Sequence, residues 1–243
     1  MFASTAGDTN YNPALVSQLV TVGKRTPTLI ITSSNVIVGI TGTLTATVNT
    51  TATAGRGGAV VYAIAAGGSG SATVNATTGF IQAISAGNIT LMATSSGDSD
   101  YNATTASQVI VIGKNVQTLV ITSASTTVVD GTLVASATST VVNGGTISYS
   151  VINGSGSAII NATTGVIRPT IRGTITLVAT TAGNTVYASA SISQTITIGK
   201  GSPTLTITSA GTMFVGGTLT TTVNTTASYN RGGAKVYSIS AGS

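Results

Sequence analysis

Three segments of the chain are almost identical: Gly23–Ser33 (GKRTPTLIITS), Gly113–Ser123 (GKNVQTLVITS) and Gly199–Ser209 (GKGSPTLTITS). Their lysines, Lys24, Lys114 and Lys200, stand 90 and 86 residues apart. Recurrence at a fixed period of this size marks an array of small domains, each a unit of supersecondary structure. A repeat of this length can bury its own hydrophobic core.

The period extends well beyond the Gly-Lys signature. Asn75–Gly79 (NATTG) recurs as Asn161–Gly165, and Gly87–Thr94 (GNITLMAT) as Gly173–Thr180 (GTITLVAT). The register divides the chain into the tail of one repeat (1–24), two whole repeats (25–114 and 115–200) and the first half of another (201–243). Met1 falls opposite Leu91, and Ser243 opposite Gly68, so the two end pieces do not add up to one domain. The register therefore predicts a window cut from a longer repetitive protein.

Within a repeat the hydrophobic pattern has period two. In Gly42–Asn49 (GTLTATVN), Leu44, Ala46 and Val48 alternate with Thr45 and Thr47. That is the signature of a strand with one face on a core. Threonine on the other face favours strand over helix, because its branched Cβ suits a pleated surface. About seven strands are expected in the first whole repeat, near 27–33, 35–38, 43–50, 59–65, 72–75 with 80–84, 88–95 and 107–113. Gly57-Gly58, Gly67-Gly68, Thr78-Gly79, Ala86-Gly87 and Ser96-Gly97-Asp98 punctuate them as turns. Strand number, spacing and domain size predict an all-β fold of tandem immunoglobulin-like β-sandwiches. Linkers of three or four residues, two of them stiffened by Pro27 and Pro203, predict an extended rod.

Composition excludes several function classes. Charged residues make up only 5 % of the chain, against roughly 25 % in ordinary domains. Glu, His, Cys and Trp are absent, while Ser and Thr together number 76. The nine basic side chains form no stripe, so no nucleic-acid partner is expected, despite the net charge of +5. Polar residues and glycines interrupt every apolar run, so no membrane insertion is expected. General acid–base chemistry needs titratable groups within reach of one another. The only carboxylates, Asp8, Asp98, Asp100 and Asp130, are scattered over separate repeats. No catalytic, cofactor-binding or metal-binding residues are assigned, and no enzymatic activity is expected.

Further along, Ser71–Thr94 (SATVNATTGFIQAISAGNITLMAT), Gly97–Asn102 (GDSDYN) and Ser107–Lys114 (SQVIVIGK) resemble the bacterial immunoglobulin-like (Big) repeats of very large surface proteins. The resemblance covers the whole chain. It implies a sandwich fold and an extracellular or cell-surface location. It also implies a spacer role: an adhesin stalk, a surface-layer component or a filament subunit. The glycan- or receptor-binding tips that some such proteins carry are not matched.

Remaining candidates each have a structural reading beside the functional one. Asp98 and Asp100 could begin a calcium site, but the equivalents Asp8 and Asn10, then Asn184 and Val186, lose the charge; a turn held by Asp or Asn is expected instead. Tyr11, Tyr101 and Tyr187 share one repeat position, and Tyr62, Tyr149 and Tyr237 another. They read either as exposed rings for sugar stacking or, preferably, as core rings with bonded hydroxyls. Seven glycosylation sequons occur, at Asn49, Asn75, Asn88, Asn102, Asn153, Asn161 and Asn224. Abundant Ser and Thr generate most of these by chance. Lys24, Lys114 and Lys200 read as solvated linker charges.

The function expected is a non-enzymatic structural segment of an extracellular protein. Its weakly charged, Ser/Thr-rich sheets should associate with copies of itself into a filament, sheath or lattice. The alternative is a stalk or ligand-binding segment of an adhesin that recognises glycan or a host surface. A further alternative is an appended module of a phage protein or secreted enzyme.

Overall fold

A computed structural model describes residues 1–227 and 232–239. The chain forms two compact units, Met1–Asn115 and Val116–Ser243. The first contains β1 (Phe2–Thr5), β2 (Ala14–Ser17), β3 (Leu29–Ile31), β4 (Val36–Ile37), β5 (Thr43–Thr45), β6 (Val48–Thr50), β7 (Val60–Ala65), β8 (Ser71–Val74), β9 (Phe80–Ser85), β10 (Gly87–Ser95) and β11 (Thr104–Ile112). Strands β1 and β2 pair as an antiparallel hairpin with every residue exposed.

The strands from β3 to β11 make a sandwich. One sheet has the order β4-β11-β10-β7; β5-β9-β8 and the pair β3-β6 make the other layer. From Ile89 onward strand β10 alternates buried and half-buried residues, as the sequence pattern requires. Its inward Ile89, Leu91 and Ala93 meet Ile81, Ile110, Ile112 and Leu29 in one continuous core. The opening stretch changes layers: β3 pairs with β6, whereas β4 lies parallel to β11. This strand order is that of an immunoglobulin-like sandwich.

The second unit repeats the plan with β12 (Leu119–Ile121), β13 (Thr126–Val128), β14 (Leu133–Val134), β15 (Ala137–Ser139), β16 (Ile147–Asn153), β17 (Ser157–Ile160), β18 (Val166–Ile171), β19 (Gly173–Thr181) and β20 (Ala190–Gly199). The sheets run β13-β20-β19-β16 and β14-β18-β17, with β12 paired to β15. Ile167, Ile175, Leu177, Ile196 and Ile198 occupy the core positions of Ile81, Ile89, Leu91, Ile110 and Ile112. Beyond them, β21 (Leu205–Ile207) and β22 (Val223–Thr225) form a two-stranded sheet. The expected half-repeat 201–243 includes residues 228–231 and 240–243, which lie outside the described residues.

The strands follow the sequence pattern with two differences. The expected strand 43–50 is broken into β5 and β6, because the Ala46 N–H turns away to the carbonyl of Gly79. β5 then pairs with β9 and β6 with β3. The segment 72–75 with 80–84 is a hairpin of two strands, β8 and β9, around Asn75–Gly79. Among the described residues no helix is long and apolar enough to cross a membrane.

Candidate functional site

The loop between β10 and β11 contains the Asp98–Tyr101 turn. The Asp98 carboxylate accepts the backbone N–H groups of Asp100 (2.8 Å) and Tyr101 (2.9 Å). Its second oxygen accepts the N–H of Gly57, at 2.6 Å. Asp100 instead pairs with Arg56 across an exposed gap, where such a pair contributes little. The same turn recurs with Asp8 (to Asn10 and Tyr11) and with Asn184 (to Val186 and Tyr187). A side-chain oxygen two residues before the turn's tip mimics a backbone acceptor, so Asp and Asn serve equally. Among the described residues no three carboxylate, histidine or cysteine side chains come together.

The tyrosines divide by position. Tyr101 is buried, and its hydroxyl meets both the N–H (3.3 Å) and the Oγ1 (3.0 Å) of Thr53. Hydrogen bonding from the Thr53 side chain, then from its backbone, holds the phenol below its ordinary ionisation range. Tyr62 is buried against Gly79, and the Tyr149 hydroxyl accepts the N–H of Ala137 at 3.1 Å. These rings serve the core. Tyr11 and Tyr237 depart from that expectation: they are 76 % and 51 % exposed, in segments that bury no sandwich core. Tyr187 is half-buried.

Asn75 and Asn161 spend their side-chain oxygens on two N–H groups each, those of residues 77 and 78 and of residues 163 and 164. Asn153 bonds to the N–H of Ala158, and Asn102 donates to Thr26. Asn49, Asn88 and Asn224 are exposed. Lys24 is exposed too, but it is not merely a solvated charge: its Nζ donates to the carbonyl of Asp98 at 2.6 Å. The adjacent Arg25 N–H donates to Asp100, and the Asn102 N–H to Arg25. The junction is thereby tied to the Asp98 turn. Lys200 lines a cleft of about 830 Å³ in the second unit with Asp130, Arg172 and Pro203.

A buried polar latch went unread in the sequence. Gln117 stands where the other two junctions have proline, and it is 4 % exposed. Its Nε2 donates to the carbonyls of Gly144 (2.7 Å) and Ala188 (2.6 Å), and its Oε1 accepts from Ser139 (3.0 Å). One side chain thus joins the end of β15 to two loops.

The outer faces of the four-stranded sheets differ between repeats. In the first unit, cross-strand rows read Val36–Val111–Asn88, Val109–Thr90–Ala65, Ser107–Met92–Ala63 and Thr105–Thr94–Val61. The second unit has Thr126–Thr197–Thr174, Thr195–Thr176–Ile152, Ser193–Val178–Ser150 and Ser191–Thr180–Ser148 in the same places. Among these residues none is charged or aromatic. The uniform Ser/Thr ladders expected from composition hold for the second unit; valine, alanine and methionine dominate the first.

No family model matches the chain, and no curated protein matches it in sequence. Solved structures do align. Drosophila N-cadherin EC1-3 covers 73 % of this chain and 68 % of its own at 15 % identity, with a TM-score of 0.28. A SusE-like surface located polysaccharide binding protein from Bacteroides thetaiotaomicron covers 82 % of this chain and 37 % of its own, at 12 % identity and TM-score 0.31. A C-terminal fragment of intimin, solved with the intimin-binding domain of its translocated receptor, covers 74 % and 66 % at 14 % identity and TM-score 0.29. Likenesses this distant carry no argument about function, and the immunoglobulin-like assignment rests on the chain's own strand order and pairing.

Proposed function

We propose that the chain is a non-enzymatic structural segment of an extracellular surface protein, built from Big-type repeats and working in a self-associated state. The observation that carries this reading is the division between interior and exterior. Core positions and turn hydrogen bonds recur from repeat to repeat, whereas the outer faces of the four-stranded sheets change in composition and stay uncharged. A spacer requires only that its domains fold alike. Surfaces without a mixed ionic coat do not keep copies apart.

Negative-stain electron microscopy of the native material, shed from the cells that make it, tests the reading. Regular polymers with a constant subunit repeat are the expected result. Single thin whiskers ending in a distinct head would overturn it in favour of an adhesin stalk.

A further inference from the structure

We infer that copies of this chain contact one another through the outer face of the β4-β11-β10-β7 sheet in the 25–114 repeat. The inference deepens the self-association reading and rests on it. Val36, Val61, Val109 and Val111 point outward from this sheet and are 48, 49, 53 and 45 % exposed. Cross-strand pairing sets Val36 beside Val111 and Met92 beside Ala63, with Val109 and Val61 one diagonal step from Met92 on either side, so the apolar residues share one face with Asn88, Thr90, Thr94, Thr105 and Ser107 among them. Strands of two, nine, nine and six residues, at roughly 4.8 Å spacing and roughly 3.4 Å rise, give a face of about 420 Å². Seven of the twelve outward positions in these rows are apolar, and a mainly apolar, uncharged face of this size is often functional on a soluble protein.

The chemistry of the face selects the partner. None of its described residues is charged, so two copies meet without repulsion, although each chain carries a net charge of +5. The face has no basic residue to attract an anionic membrane or nucleic acid. Nor has it an aromatic ring on which a sugar could stack. Two such faces together remove about 850 Å² from water, the size of a weak, reversible contact. The same face of the 115–200 repeat has Thr195 and Thr197 where the first has Val109 and Val111. It offers hydroxyls and less apolar area to bury, so the more apolar repeat is the one that drives association.

The chain has no cysteine, which makes a site-specific cross-link decisive. Val109→Cys and, separately, Thr195→Cys are introduced into the full chain and oxidised, and covalent dimers are counted. Sedimentation of unmodified chain, Val109→Lys/Val111→Lys and Thr195→Lys/Thr197→Lys is measured in parallel, with circular dichroism as the check on folding. The expected result is cross-linking at position 109 over 195, and association weakened at least tenfold by the valine-to-lysine pair alone. If the unmodified chain associates but only the threonine pair disrupts it, this face is wrong and the assembly reading stands. If the unmodified chain stays monomeric at every concentration, both fall together.

Discussion

At the residue scale, what the sequence displays least is how buried polar groups are shared. Gln117 looks like a lost proline, because its three partners lie 22, 27 and 71 residues away, one at the end of β15 and two in loops. Replacing it by alanine strips the carbonyls of Gly144 and Ala188 of a donor inside the domain. We expect Gln117→Ala to lower stability by about 2–3 kcal/mol in urea unfolding. A loss under half that would mean water replaces the amide without difficulty. The Tyr101 hydroxyl offers a second test. Its folded-state ionisation lies below the usual value, so the ionised form is favoured in the folded domain. Its contribution to stability is fully present above the unfolded pKa and is lost as pH falls through the lowered one. Thr53→Val removes the leading cause, and absorbance titration should then show the ring ionising at higher pH than in the parent. The turn residues, by contrast, were readable: Asp98, Asp8 and Asn184 stand at one repeat position because each needs only one oxygen aimed at its own backbone.

At the scale of elements, strand positions were legible because burial follows a period of two. β10 and β19 carry the same alternating burial along nine residues each. Leu91 and Leu177 are wholly buried at matching places. Truncating either to alanine should cost about 2–5 kcal/mol, measured by thermal or denaturant unfolding. The break in strand 43–50 was not legible, since it depends on the Gly79 carbonyl arriving from a distant turn. Position 87 illustrates the reverse. Gly87 and Gly173 both adopt φ +133, and an added Cβ would lie 2.4 Å from the backbone N of Gly70 or Gly156. Gly87→Ala should therefore destabilise by at least about 2 kcal/mol, through strain and a clash with rigid backbone together. An alanine variant that melts with the parent would show that this turn can rearrange.

At the scale of the whole molecule, the repeat period and the alternation made the fold visible, but neither says which outer face is apolar. Val109 and Thr195 have nearly the same shape and the same strand preference, so both satisfy the pattern that specifies the sandwich. Only the sheet register, which pairs Val36 with Val111 and Met92 with Ala63, shows that these residues share one face. Association through uncharged faces should depend little on ionic strength, because screening acts on charges. Light scattering at low and high salt is expected to give matching assembly; a steep loss with salt would point to the sparse lysines and arginines instead.

One pairing has a consequence for tension. The first strand of each four-stranded sheet, β4 or β13, runs parallel to the strand that closes the repeat, β11 or β20. Backbone bonds from Val111 to Asn35 and from Gly113 to Ile37 bridge the first pair; Thr197 to Ser125 and Val129 to Gly199 bridge the second. Pulling the chain from its two ends draws these parallel neighbours past each other. The bonds between them are then loaded all at once, in shear, rather than peeled apart one at a time. A domain wired in this way resists stretching up to a threshold and then yields abruptly, so each repeat would act as a separate mechanical fuse along the chain.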